Sequence, residues 1–96
     1  MKHKIFSIFD SKAAAYLPPF FMPEEGMAIR LFKQCVNDSQ HQFSKDPGDY
    51  TLFNLGAWDD NTSKIMTHPG ISLHNGLELL QNDTPESQLS LIEEQA

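Results

Sequence analysis

Two adjacent carboxylates, Asp59 and Asp60, are the residues of this 96-residue chain that most resemble an acid–base pair. Paired carboxylates can share such work when their surroundings drive their pKa values apart. Here they are followed directly by Asn61 and Thr62. Short polar side chains in a row are typical of a tight turn, where they bond to their own backbone. The pattern therefore predicts a hairpin turn and no catalytic pair.

Metal and nucleophile chemistry also lacks a suitable pattern. No two of the four histidines have ligand spacing on a predicted helix or strand: His3, His41, His68 and His74. The single cysteine, Cys35, falls on an apolar helical stripe, where a cysteine usually acts as a small buried hydrophobe. The five glycines are scattered and form no phosphate-binding loop. We therefore expect no enzyme, no metal and no cofactor.

The charge of the chain is uneven. Thirteen acidic and seven basic residues give a formal net charge of −6. All seven basic residues lie within residues 1–70, together with eight of the acidic ones, whereas residues 71–96 hold five acidic residues and no lysine or arginine. Non-specific affinity for nucleic acid comes mainly from lysine and arginine displacing counterions from phosphate. Any contact with nucleic acid must therefore be local, oligomeric or aromatic.

Cysteine usage and hydropathy bear on location. One cysteine excludes an intramolecular disulfide and suits a reducing compartment. No stretch reaches the roughly 18–20 consecutive apolar residues that a membrane helix needs. The N-terminus lacks the apolar core of a signal peptide. We expect a soluble cytoplasmic protein with no membrane partner.

The elements that would position these residues follow from periodicity and from turn residues. Strands are predicted where isoleucine, phenylalanine and other apolar residues cluster between turns, and a helix where apolar residues recur every three or four positions. The predicted strands are 3–9, 16–22, 50–58 and 63–67, and the predicted helix is 23–36, with a loop over 38–49. Gly56, inside the third strand, indicates a bulge or a close backbone approach. The order β-β-α-β-β predicts an α+β fold: a small antiparallel four-stranded sheet with one helix packed on one face.

The domain limits follow from the same pattern. Residues 1–68 are predicted to form a single α+β domain. Residues 69–81 are predicted to be a weakly structured extension, because Asn75 and Gly76 interrupt their leucine spacing. Residues 82–96 are predicted to be a flexible, mobile acidic tail.

Both faces of the predicted sheet are apolar, and one helix can cover only one of them. In the third strand, regular alternation places Tyr50 and Trp58 together on one face and Phe53, Leu55 and Ala57 on the other. Three covers for the second face remain open. They are the C-terminal segment with Leu73, Leu77 and Leu80, an identical subunit, or nucleic-acid bases stacked on Tyr50, Trp58, Phe6 or Tyr16.

Four segments carry a resemblance to a known family: Tyr16–Phe20, Ala28–Phe32, Val36–Asp38 and Pro47–Asp60, the last reading PGDYTLFNLGAWDD. Over roughly residues 3–68 the chain resembles the small non-structural protein of gokushovirus-type microviruses, which are single-stranded DNA phages. One departure is Ser63, at a position where we would expect glycine. The resemblance implies a non-enzymatic accessory protein for DNA binding or single-stranded DNA synthesis, present in the cytoplasm of the infected bacterium and absent from the mature virion. It assigns no functional residues.

Together these observations predict a homodimer that binds single-stranded DNA during viral genome replication or packaging. The residues expected to contact phosphate are Lys2, Lys4, Arg30, Lys33 and Lys64, and those expected to stack on bases are Tyr50 and Trp58. The acidic tail would compete with DNA for the basic residues. The alternative is a protein–protein adaptor that binds host or phage replication proteins and never contacts nucleic acid, which the net charge of −6 favours.

Overall fold

The structure is a computed structural model and describes residues 1–81; the predicted acidic tail, 82–96, lies outside the described residues. In chain order the elements are β1 (Lys2–Asp10), β2 (Ala15–Tyr16), β3 (Phe20–Met22), α1 (Glu25–Val36), β4 (Tyr50–Asp59), β5 (Ile65–Asn75) and α2 (Gly76–Leu79), with short 3-10 turns at Gln42–Ser44 and Pro47–Asp49.

The strands form one antiparallel sheet in the order β2-β1-β4-β5, and β3 also pairs with β1. The predicted α+β fold, an antiparallel sheet with one main helix, is therefore confirmed. The sheet has five strands, one more than predicted. The reason is the pair Pro18 and Pro19, which cannot donate ladder hydrogen bonds and divide the predicted strand 16–22 into β2 and β3.

The core lies between α1 and one face of the sheet. Ala28, Phe32 and Val36 recur every four residues along α1 and are all buried. They form one cluster with four other buried side chains: Phe6 and Ile8 of β1, Leu52 of β4, and Phe43 from the loop. The helix begins at Glu25, two residues later than predicted, and the preceding Glu24 makes no side-chain capping bond. We call the sheet face beneath α1 the helix side.

Residues 69–81 are more ordered than predicted. The last strand does not end at Thr67 but continues to Asn75, where Thr51 pairs with Asn75 and Leu52 with His74. The Asn75 side chain then caps α2 by accepting from the Leu77 N–H, while Glu78 accepts from the Asn75 N–H. The prediction of weak structure was wrong because the strand depends on pairing with β4, which the local spacing does not reveal.

Gly56 forms the predicted bulge in β4. Its φ of 151° lies in a region that favours glycine. A Cβ atom at this position would clash with the carbonyl oxygen of Met66, because β5 approaches closely here. Ile5 pairs with Gly56 and Phe6 pairs with Asn54, so Leu55 between them has no partner in β1. The bulge therefore reverses the alternation of side chains along β4.

Candidate nucleic-acid interface

The sheet surface opposite α1 carries five aromatic side chains. It is called the aromatic face below and is defined by Phe9, Tyr16, Phe21, Phe53 and Trp58. Strand alternation and cross-strand pairing place them on one side. Phe9 pairs with Tyr16 and Thr51, Ile5 pairs with Phe21, and His3 pairs with Trp58. Odd-numbered residues of β1 face this side, whereas Phe6 and Ile8 face the helix side.

The aromatic rings form two clusters. In the first, the ring centroids of Phe9 and Tyr16 are 4.9 Å apart, and Tyr16 meets Phe53 edge-on at 5.4 Å. In the second, Trp58 lies 5.3 Å from the His3 ring and 6.0 Å from the Phe21 ring, which it meets edge-on. These separations are typical of favourable aromatic pairs. Both clusters are therefore held in place by ring–ring contacts.

Within residues 1–81 the aromatic face is only partly covered, because Ile5 and Ser7 of β1 on this side are buried while two of its rings stay exposed. Tyr16 is 51% exposed and Phe21 is 49% exposed. The C-terminal leucines do not shelter them: Leu73 packs against the core on the helix side, and Leu77 and Leu80 are exposed. The first of the three predicted covers is therefore wrong for the part of the segment that the structure describes. Large exposed apolar patches usually mark binding surfaces.

The two residues predicted to stack on bases lie on opposite faces. Trp58 is on the aromatic face, but Tyr50 pairs with Asp10 on the helix side and packs on Phe43, with ring centroids 4.4 Å apart. Partial burial raises the pKa of the Tyr50 hydroxyl. The expectation that Tyr50 and Trp58 share a face was wrong because the bulge reverses the alternation between them.

Phe9, Phe21 and Phe53 lie on the aromatic face but were not among the predicted stacking residues. The alternation of side chains along their strands is the signal that could have identified them. Phe6 was a stacking candidate, but it is fully buried and stacks on Phe20 in the core. The next residue, Phe21, points the other way and reaches Trp58. Alternation within the apolar run Phe20–Met22 distinguishes the two phenylalanines once the pairing of β3 with β1 is known. Phe9 and Phe53 follow from the same alternation.

The predicted phosphate-contacting residues are not brought together. Lys2 pairs with Asp59 at the tip of the β4–β5 hairpin, and Lys64 lies in the turn of that hairpin. Lys4 lies on the helix side, paired with Ala57 and Met22. Arg30 and Lys33 are on α1 and therefore lie across the sheet from the aromatic face. Lys2 and Lys64 lie at the hairpin tip, beyond Trp58, and Lys2 shares the even register of Lys4 in β1.

The tip of the β4–β5 hairpin carries two carboxylates besides its lysines. Asp60 accepts from the α-ammonium group of Met1 at 2.8 Å and contacts His3 Nε2 at 3.0 Å. These two bonds lower the pKa of the Asp60 carboxyl group. Asp59 accepts from the Asn61 N–H at 2.9 Å, as the turn prediction required. The two carboxylates therefore cap and anchor the hairpin.

Other kinds of site have little support in the described residues. Within residues 1–81, no three histidine, cysteine or acidic side chains come together as a metal site would require. In the same range, no helix is long and apolar enough to cross a membrane. Cys35 is half-buried, and burial raises the pKa of its thiol.

The comparison with protein families identifies the chain. The family model described as Phage ORF5 protein matches residues 3–79. The chain belongs to this phage protein family. The match begins in β1 and ends in α2, so every residue of the aromatic face lies within it. No curated protein and no solved structure gives a significant match.

Proposed function

We propose that this protein is a non-enzymatic accessory protein of a gokushovirus-type microvirus that binds single-stranded DNA on its aromatic face. It would act in the cytoplasm of the infected bacterium during genome replication or packaging and be absent from the mature virion. The observation that carries the proposal is the aromatic face itself, with five rings on one side of a sheet and two of them about half exposed.

Base stacking gives this surface a suitable ligand. Unpaired bases stack on aromatic side chains without sequence preference, and each stacked base contributes about 1–3 kcal/mol. Tyr16 and Phe21 pair with β1 residues four positions apart, Phe9 and Ile5. At the rise of a β-strand this is roughly 13 Å. One extended strand of DNA can therefore lie over both clusters.

Electrostatics contributes little to the proposed binding. Lys2 and Lys64 lie at the hairpin tip beyond Trp58, and both are exposed. Affinity for single strands falls with salt in proportion to the number of phosphates neutralised. We therefore expect a shallow salt dependence, equivalent to about two or three neutralised phosphates.

The rival function is a protein–protein adaptor that binds replication proteins of the host or phage. One observation favours it: no strand residue on the aromatic face within residues 1–81 is a lysine or arginine. Association through an apolar surface is driven by burial and is nearly indifferent to salt. DNA binding and protein association therefore differ in their response to salt.

Fluorescence anisotropy with a labelled oligothymidylate tests the proposal. Tyr16→Leu and Phe21→Leu keep an apolar side chain but remove the ring, so each should weaken DNA binding about tenfold. Leu31→Ala removes an exposed side chain of α1, on the other side of the sheet, and should leave affinity unchanged. Equal affinity in all variants, or no binding by the wild type, would leave the adaptor as the better account.

The homodimer predicted from the sequence remains a prediction. A pair joined through the aromatic face would compete with DNA for the same surface, whereas a pair joined elsewhere would leave that surface free. Sedimentation of the protein with and without oligothymidylate separates these cases. DNA that dissociates a dimer indicates the first arrangement, and a dimer that binds DNA intact indicates the second.

A further inference from the structure

A groove of about 280 Å³ lies at the Gly56 bulge, lined by residues of β1, β4 and β5. Lys4, Asn54 and His68 are its hydrogen-bonding side chains with nitrogen atoms, and Ala57 and Met66 are among its apolar ones. Lys4 and Ala57 pair with each other on the helix side. The groove is therefore separate from the aromatic face and is not used by base stacking there.

Lys4 gives the groove a positive charge. It is half-buried, and no carboxylate within residues 1–81 forms an ion pair with it. None of the residues that line the groove is acidic. A partly desolvated ammonium group is stabilised by a bound anion. The groove therefore favours a negatively charged ligand.

Asn54 adds two oriented donors. Its Oδ1 atom accepts the backbone N–H of Gly56 at 3.0 Å, which fixes the orientation of the amide. The Nδ2 group makes no hydrogen bond with another described residue. Because Oδ1 is engaged by the bulge, the amide presents N–H groups to a ligand.

His68 is the third nitrogen-bearing side chain of the groove. Its Nδ1 atom lies 2.8 Å from the carbonyl oxygen of Pro69. A carbonyl oxygen can only accept, so Nδ1 carries the proton and donates it. The remaining ring atom, Nε2, is then available to the groove. Nε2 can accept a hydrogen bond from a phosphate hydroxyl.

We propose that this groove binds a phosphate group through Lys4 Nζ, Asn54 Nδ2 and His68 Nε2. Tetrahedral phosphate has enough oxygen atoms to engage all three groups, and charge-assisted bonds of this kind are stronger than neutral ones. Two sources offer such a group: free phosphate, whose hydroxyl can donate to His68 Nε2, or a backbone phosphate of DNA, which has no hydroxyl and would be held by Lys4 and Asn54. DNA as the source deepens the proposed function and rests on it. In that case the DNA strand passes around β5, an edge strand of the sheet, from the aromatic face to the groove.

The test is a ¹H–¹⁵N NMR titration with inorganic phosphate, in which chloride keeps the ionic strength constant. We expect saturable shifts at the Asn54 side-chain amide and at the backbone of Gly56 and His68. Lys4→Met should weaken this binding about tenfold, the loss expected for one charge-assisted bond. Lys45→Met is the control: it removes the same charge from a lysine whose ammonium group donates to the Ser39 carbonyl oxygen, away from the groove. This variant should bind phosphate as the wild type does. Absence of saturable shifts, or equal binding by Lys4→Met, would overturn the proposal.

Oligothymidylate anisotropy on the same variants identifies the source of the phosphate. If DNA supplies it, Lys4→Met should lower DNA affinity and reduce the salt slope by about 0.7. Binding of inorganic phosphate without any binding of DNA supports the groove with free phosphate as its ligand and contradicts the proposed function. Unchanged DNA affinity and slope in Lys4→Met would overturn DNA as the source while leaving base stacking intact.

Discussion

Tyr50 and Trp58 lie on opposite faces of β4, although residues eight positions apart in a regular strand point to the same side. The cause is the bulge at Gly56, which leaves Leu55 without a partner in β1. Trp58 consequently joins Phe21 on the aromatic face, and Tyr50 closes the core beside Phe43. One glycine thus determines which aromatic side chains can meet a ligand.

Replacing this glycine should be costly. Gly56→Ala places a Cβ atom against the Met66 carbonyl group at a φ of 151°, so we expect the free energy of unfolding to fall by about 3 kcal/mol. Gly26→Ala is the control, because that helical position is open and alanine should stabilise α1 by roughly 0.5–1 kcal/mol. Urea denaturation measures both. Equal stability of the two variants would contradict the role of the bulge.

Ser63 shows the opposite situation, a non-glycine residue in a glycine conformation. Its φ is 62°, in the left-handed region, and it stands at the position where the family resemblance led us to expect glycine. Ser63→Gly should relieve this strain and raise the free energy of unfolding by about 0.5 kcal/mol, since the cost of the conformation exceeds the entropy that glycine loses. Ser63→Ala should give no such gain in the same urea series. If Ser63→Gly were no more stable than Ser63→Ala, the assignment of backbone strain to Ser63 would be contradicted.

The hairpin tip should make stability depend on pH. Hydrogen bonds from the Met1 ammonium group and His3 lower the pKa of Asp60 from 3.8, so its contribution is present above that value and is lost as the pH falls through the lower folded-state pKa. The pKa of the ammonium group is raised from 8.0, so its contribution is lost in alkali. Asp60→Asn should therefore be less stable than the wild type between about pH 4 and 8. Urea midpoints of both proteins across pH measure this difference in stability. A difference that stays the same in acid would contradict the role of the ionised Asp60.

The acidic tail, residues 82–96, yields a prediction from charge alone, since it lies outside the described residues. It holds four acidic residues and no basic one. Its removal should strengthen binding of oligothymidylate at low salt and have little effect at high salt, where such charges are screened. A fourfold Glu/Asp→Gln/Asn variant at Asp83, Glu86, Glu93 and Glu94 separates charge from chain length. Unchanged affinity in both variants would discard competition between the tail and DNA.

The sequence predicted the features of the fold that depend on local pattern. The apolar spacing of Ala28, Phe32 and Val36 gave the helix, and Asp59 and Asp60 gave the hairpin turn. Gly56 even indicated the bulge. What the pattern could not supply was the consequence of that bulge for pairing, because register depends on contacts between strands that are distant in the chain.

The same limit explains the errors at the candidate site. β5 is held by pairing with β4, so Ile71 and Leu73 gave no local sign of a strand. Lys4, Arg30 and Lys64 carry the same charge, and nothing in the sequence separates them. The fold places Lys4 on the helix side of the sheet, Arg30 on α1 and Lys64 at the hairpin tip. Charge and residue type identify candidates, whereas only the paired sheet decides which of them share a surface.

The most direct measurement of the central claim is the fluorescence of Trp58, the only tryptophan in the chain. Bases that stack on the aromatic face should quench this emission as oligothymidylate is added, with the same midpoint as anisotropy of the labelled oligonucleotide. Phe21→Leu should weaken both signals together, because Phe21 contacts Trp58. Anisotropy that rises while the emission of Trp58 stays constant, or no binding at all, would contradict the claim that DNA binds on this face.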